Sequence, residues 1–279
     1  MSTTTQTVLL VTKSGHAEAP ALAGTIASWL RARGARPRVA EHRAGQGGPG
    51  LPVDGCDLVL VLGGDGTMIS VAREVAGRAP LLGLNMGRLG FLTELAPEGW
   101  EEPLARLLDR GIPWCERLGL AWDVRRGGAV VASGAVVNDL VVNRGALARL
   151  LHLTLALDGE CLGRLRADGL VVATPTGSTA YSISSGGPIV HPSLAVFTVT
   201  PICPFLSNFK PMVLPGTAEL RVGVEDAGTE VFLTLDGQGA VALDAGDEVR
   251  VRRSPAGIKL ADAGITTYVS RLRAKGVIE

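Results

Sequence analysis

Aromatic residues are scarce: five phenylalanines, four tryptophans and two tyrosines in 279 residues. A charge excess of either sign is missing too. Lysine plus arginine number 27 and aspartate plus glutamate 27, and a net charge of zero argues against a general binder of nucleic acid or another polyanion. Lysine is confined to Lys13, Lys210, Lys259 and Lys275; with abundant alanine and glycine, this arginine bias reads as genome composition. The four cysteines (Cys56, Cys115, Cys161, Cys203) form no C-x-x-C pair and keep no metal-like spacing with histidine, so a reduced, cytoplasmic protein is expected. No apolar run approaches the roughly 20 residues of a membrane span, and "VLLV" near the start is too short for a secretory h-region. No contact with a membrane is expected.

Several signatures are absent as well. Without G-x-x-x-x-G-K-[ST] there is no Walker-type phosphate loop, and neither H-E-x-x-H nor G-x-S-x-G occurs. A literal G-x-G-x-x-G at Gly45, Gly47 and Gly50 contains Pro49, runs into Pro52 and opens no helix, so it reads as a loop. His16, His42, His152 and His191 form no cluster and read as surface or core residues.

The first third alternates strand and helix. "TVLLV" reads as a strand, and residues 17–33 as a helix with Leu22, Ile26 and Leu30 on one face, stopped by Gly34. Further strands are expected near residues 38–40, at Val59 to Leu62 and at "APLLGLN", and a helix over 97–110 with Trp100, Leu104, Leu107 and Leu108 inward. This βαβα order predicts a doubly wound parallel sheet. From about Trp114 short β-branched runs such as "NDLVVNR", "LLHLTLALDG", "LAVFTVTP" and "EVFLTLDG" recur between turns, predicting an all-β, sandwich-like part. "TGSTAYSISSGG" interrupts them as a short helix, and "TTYVSRLRAKGVIE" predicts a helical tail packing back on the body. The expected boundaries are 1–112, 113–262 and 263–279.

Four polar segments interrupt the apolar pattern. In "VLVLGGDGTMISVAR" an aspartate sits among three glycines at the tip of a strand, with Thr67 placed to cap the next helix. Ligands bind at that end of strands in open α/β sheets, although a plain tight turn would also use this composition. "VVNDLVVNRG" sets Asn138 and Asp139 between valines, as a bulge or edge, or as an amide and carboxylate for a purine edge and ribose hydroxyls. "RLRADGLVVATPTGSTAYSISSGGP" supplies Arg166, Asp168, hydroxyls at Thr176, Ser178, Thr179, Ser182 and Ser184, and the Tyr181 ring for stacking. "LDGQG" places Gln238 after another Asp-Gly turn.

These stretches, "GGDGT", "LLGLNMGRLGFL", "NDLVVNRG", "RADGLVVATPTGSTAYSISSGGPIV" and "LDGQ", occur in an order that closely resembles the NAD kinase family. The resemblance runs from about Leu58 into the tail, and its "DGLVVATPTGSTAYS" string is the most specific part. It implies NAD and ATP as substrates, NAD bound where an α/β and a β-rich domain meet, and a magnesium ion or another divalent cation arriving with ATP rather than in a protein-only cage. It also implies a homo-oligomer, dimer or tetramer.

By motif, the resemblance makes Asp65 the base that accepts the proton of the adenosine ribose 2′-hydroxyl. Gly63, Gly64, Gly66 and Thr67 would face the ATP phosphates, with Asp65 and Gly66 also against NAD. Asn138 and Asp139 match the pair that binds NAD, and Arg166 and Asp168 the pair before the threonine-rich loop, Asp168 at the nicotinamide end. Thr179, Ala180, Tyr181, Ser182, Ile183 and Ser184 match the segment around the dinucleotide, and Gln238 another binding position. Arg149 is a further candidate contact on spacing. "CPFLSNFKP" departs from the family pattern, with Phe205 and Lys210 where histidine and arginine are usual.

Two rival readings stand beside this one. A lipid or sugar-phosphate kinase would share the "GGDGT" turn but has no use for "TPTGSTAYS". A sensor that binds NAD or NADP without phosphate transfer has no need of a base at Asp65.

Overall fold

The computed structural model describes residues 5–43, 50–87, 90–145, 150–206, 208–226 and 230–279. Gly45, Gly47 and most of the glycine-rich loop, and Arg149, lie outside the described residues. The chain divides into two compact units, residues 1–116 with 258–279, and residues 117–257.

The first unit is built on a seven-stranded sheet. Its order is Arg36–His42, Thr7–Lys13, Leu58–Leu62, Leu81–Leu84, Ile258–Ala261 and Trp114–Arg117, with Thr93–Leu95 also pairing on Leu81–Leu84. The pairings among the strands up to Thr93–Leu95, and that of Ile258–Ala261 on Leu81–Leu84, are parallel. All five residues of Leu58–Leu62 are fully buried, and each such side chain stabilises the fold by about 1.5–3 kcal/mol. The helices Ala19–Ala32 and Glu101–Asp109 press Ile26, Leu30, Leu104, Leu107 and Leu108 into the same core, with Trp100 alongside. Trp29 and Trp100 meet edge to face at 5.2 Å.

The helix Asp65–Val75 follows Leu58–Leu62 after two glycines. The buried imidazole of His42 fixes its far half: Nε2 lies 2.7 Å from Ser70 Oγ and Nδ1 3.2 Å from Glu74 Oε2. The tail forms the helix Tyr268–Ala274, started by a reciprocal capping box between Thr267 and Ser270, and Leu272 is buried. Within its unit it is tied by Arg271, which donates to Phe91 O.

The second unit consists of two six-stranded sheets whose pairings among the described residues are antiparallel. One runs Glu160–Ala167, Leu151–Leu157, Leu220–Asp226, Glu248–Arg253, Leu120–Arg126, Ala129–Val136. The other runs Met212–Pro215, Val196–Ile202, Gly169–Ala173, Asp139–Arg144, Val231–Leu235, Gly239–Leu243. Alternate residues of both, such as Leu120, Trp122, Val124, Leu140, Val142, Leu170 and Phe197, share one core, as in a sandwich. The α/β and antiparallel β-rich architecture is the one that the sequence predicts. Among the described residues, no helix is long and apolar enough to cross a membrane.

Candidate active site

In the first unit the site is built around Asp65. Gly63 N donates to Leu84 O at 2.9 Å, ending the strand in register with its neighbour, and Gly64 is the helix N-cap in an extended conformation. Asp65 is therefore the first helical residue, a position where a carboxylate is favoured by the positive end of the helix dipole. The expectation that Thr67 caps this helix is overturned. The helix starts at Asp65, three residues earlier than a cap at Thr67 would set it, the cap carries no side chain, and Thr67 is buried against Gly63 inside the first turn.

Both oxygens of Asp65 accept backbone amides from the segment that follows Leu81–Leu84. Phe91 N donates to Oδ2 at 2.7 Å and Leu92 N to Oδ1 at 3.0 Å. The approach requires glycine at position 90, where an added Cβ would stand 1.9 Å from Asp65 Oδ1. Each carboxylate oxygen has further acceptor capacity, so the clamp orients Asp65 and leaves it able to take a proton.

In the second unit, Asn138, Asp139, Val141, Asn143, Ala180, Tyr181, Thr234, Asp236 and Gly237 line a cavity of about 300 Å³. The strand Asp139–Arg144 lies between Gly169–Ala173 and Val231–Leu235, so the Asn-Asp pair opens a central strand rather than an edge. Asp236, in a left-handed turn conformation at φ 50°, accepts three successive amides. Val137 N, Asn138 N and Asp139 N donate to its Oδ1 at 3.2, 2.7 and 3.2 Å. Asn138 Oδ1 is buried with no hydrogen-bond partner among the described residues. An unsatisfied buried acceptor costs about 1–3 kcal/mol, which a ligand donor would relieve. Burial raises the Asp139 carboxyl to about 7, with the Asp236 charge adding to the rise and the Tyr181 amide opposing it.

The hydroxyl-rich loop wraps around this strand end. Thr174 Oγ1 donates to Val137 O at 2.7 Å and Thr174 N to Asn138 O at 2.8 Å. A Cβ at Gly177 would lie 2.1 Å from Asn138 O, so only glycine lets the loop lie on the Asn138 backbone. Ser178 is fully buried between Pro175 and Val190, and Ser182 is fully buried facing Thr200 Oγ1 at 3.4 Å. These hydroxyls hold the loop, while half-exposed Tyr181 lines the cavity. Thr179 ends the 3₁₀ turn Gly177–Thr179, with Oγ1 on Thr176 O at 3.3 Å. Ile183 and Ser184 complete the short helix Tyr181–Ser184 away from the cavity lining, and Gln238 is one residue beyond it.

Arg166 and Asp168 do not line the cavity. The Arg166 guanidinium lies over the Phe205 ring at 5.3 Å, and Phe205 N donates to Arg166 O at 2.8 Å. The departure at position 205 thus supplies a ring for that arginine. Arg144 Nε donates to Asp168 Oδ1 at 2.9 Å. Sequence reasoning missed Asp236, Arg144 and the Phe91–Leu92 amides. The Asp-Gly turn in "LDGQG" was the available signal for Asp236, and nothing in "GFL" announces two donated amides.

A carboxylate clamped at the start of a helix after a parallel strand, in a chain whose other unit surrounds a cavity with amide, carboxylate and phenol groups, defines a nucleotide-binding phosphotransferase. The family descriptions "ATP-NAD kinase N-terminal domain" and "ATP-NAD kinase C-terminal domain" match residues 51–112 and 137–263. An NAD kinase of Nitratidesulfovibrio vulgaris (strain DSM 19637 / Miyazaki F) is 52% identical over 280 residues, 100% of this chain and 99% of the relative. An NAD kinase of Geotalea daltonii (strain DSM 22248 / JCM 15807 / FRC-32) is 41% identical over 261 residues, 91% of this chain and 92% of the relative. Among solved structures, yeast NADH kinase complexed with NADH superposes with a TM-score of 0.79 at 25% identity, covering 98% of this chain and 86% of that one. An NAD kinase from Archaeoglobus fulgidus in complex with ATP shares the fold, with a TM-score of 0.73 at 23% identity over 97% of this chain and 96% of that one. The chain belongs to the NAD kinase family.

Proposed function

We infer that this enzyme transfers the γ-phosphoryl group of ATP to the 2′-hydroxyl of the adenosine ribose of NAD, making NADP. The observation that carries this reading is Asp65, a carboxylate oriented by two amides at a helix N-terminus. Phosphoryl transfer asks the protein mainly to align the acceptor and stabilise charge. Asp65 receives the hydroxyl proton as the new P–O bond forms and the bond to the ADP oxygen breaks. The start of the helix, from Gly63 to Thr67, faces the donor phosphates, since helix N-termini favour anions.

In the second unit, Asn138 Oδ1 accepts from the amino edge of the purine, Asp139 accepts from ribose hydroxyls, and Tyr181 stacks on a ring. Gln238, Thr179 and the segment from Ala180 through Ser184 flank the dinucleotide, and Arg166 and Asp168 bind it as well, Asp168 at its nicotinamide end. Arg149 is retained as a further contact. By this reading a divalent ion arrives with the nucleotide phosphates rather than in a cage of protein side chains. Magnesium bound in that way would neutralise charge developing on the transferred phosphoryl group. A cytoplasmic setting, in keeping with the free cysteines, and homo-oligomeric assembly belong to the same reading.

The test is NADP formation by the purified protein from NAD, ATP and magnesium, read through an NADP-specific dehydrogenase. Asp65→Asn is expected to lower kcat by about 10²–10⁴-fold, the usual weight of general-base catalysis, while NAD still binds. Near-normal turnover in that variant removes Asp65 from the base role. Binding of NAD by the unmodified protein without any NADP formation would make it a sensor.

A further inference from the structure

We infer that Arg271, on the C-terminal helix, is a positioning residue for Asp65, acting through one peptide group. Arg271 Nη1 donates to Phe91 O at 2.8 Å. That carbonyl belongs to the same peptide unit as Leu92 N, which donates to Asp65 Oδ1 at 3.0 Å. A trans peptide is planar, so fixing the direction of its C=O fixes the direction of its N–H. A cation on the carbonyl also polarises the amide and strengthens it as a donor.

The guanidinium is itself over-determined. Its Nε donates to Thr266 Oγ1 at 2.8 Å, and its Nη2 pairs with Glu94 Oε1. The other oxygen of Glu94 accepts Ala263 N at 3.2 Å. Side-chain exposure is 12% for Arg271 and 10% for Glu94, so the pair is largely removed from water and from screening by salt. Lys275, one helical turn on, places its Nζ 5.8 Å from the centre of the Phe91 ring. The capping box at Thr267 and Ser270 defines where this seven-residue helix begins, and with it where Arg271 points. A tail helix that only covered apolar surface would need Leu272 but not a three-way guanidinium aimed at a backbone carbonyl beside the active carboxylate.

This inference rests on Asp65 being the general base, and a double-mutant cycle separates the two claims. The variants are Arg271→Met, Asp65→Asn and the pair, with kcat and KM for NAD measured on full-length protein and melting temperature recorded for each. Misplacing a catalytic group by about 1 Å can cost 10²-fold. Arg271→Met is therefore expected to lower kcat by roughly 10–100-fold with KM for NAD within about threefold. In the Asp65→Asn background the same change is expected to lower residual turnover by less than about twofold, because the group it positions is gone.

Equal factors in both backgrounds would overturn the proposal and leave Arg271 a purely structural residue. An Asp65→Asn variant with normal turnover would instead overturn the base reading on which the proposal stands. Should Arg271→Met not fold, Arg271→Lys enters the same cycle. It keeps the charge beside Glu94 but lacks the planar fork, and it is expected to recover folding with only part of kcat. Full recovery of kcat by lysine would overturn the need for the fork.

Discussion

Asp236 and Asp139 hold each other's backbone. Asp139 N donates to Asp236 Oδ1 at 3.2 Å, and Asp236 N donates to Asp139 O at 2.9 Å. The first bond is one of three amides on a single carboxylate, so the turn at 236 fixes the entry of the strand that carries Asn138 and Asp139. Asp236→Ala leaves those amides without their acceptor and puts alanine at φ 50°, a region that asparagine and aspartate tolerate better. It is expected to destabilise the protein by about 2–4 kcal/mol, and Asp236→Asn by about half that. Urea unfolding of the two variants beside the parent checks the order; equal stability in all three would mean that the turn is held by other bonds.

Asp139 gives stability a distinct pH dependence. Its folded-state pKa of about 7 stands above the ordinary 3.8, so between those values the native state holds a proton that the unfolded chain releases. Stability from this group therefore falls as pH rises from about 4 to 7 and is level above that. Asp139→Asn cannot titrate and is expected to lose this decline, so its melting temperature relative to the parent rises from pH 5 to pH 8. A relative melting temperature that does not change with pH would place the Asp139 titration elsewhere.

At Gly90 the argument concerns shape. Alanine there brings Cβ to 1.9 Å from Asp65 Oδ1, so either the carboxylate or the Phe91–Leu92 segment must shift. Because the clash falls on the base and not on the core, kcat should fall by about 10²-fold with KM for NAD nearly constant. Steady-state kinetics with a circular dichroism melt decide the matter. A variant with parental kcat would show that Asp65 tolerates displacement.

Much of this fold could be read from patterning. Leu58–Leu62 is a continuous apolar run and forms a fully buried parallel strand, and Leu104, Leu107 and Leu108 recur at helical spacing and face the core. Hairpin strands such as Ala129–Val136 and Glu160–Ala167 are mostly exposed, and no buried apolar run marks them. At the site, Asn138, Asp139, Ala180 and Tyr181 do meet around one cavity. What eluded the sequence are relationships set by backbone direction. Serines at 178 and 182 read equally well as ligand donors, but in the fold they face inward, to Val190 and Thr200. Arg271 lies 180 residues from Phe91, and no local pattern encodes that separation.

The place of Ile258–Ala261, between Leu81–Leu84 and Trp114–Arg117, has a consequence for biosynthesis. The first sheet cannot close until a strand is translated that follows the whole of residues 117–257. At about 5–20 residues per second that interval lasts roughly 7–28 s. During it the nascent chain already carries Asp65, while the strand and helix that finish its surroundings are not yet translated. The second unit is inserted as a self-contained passenger, and the first is completed only after the whole of it has been made.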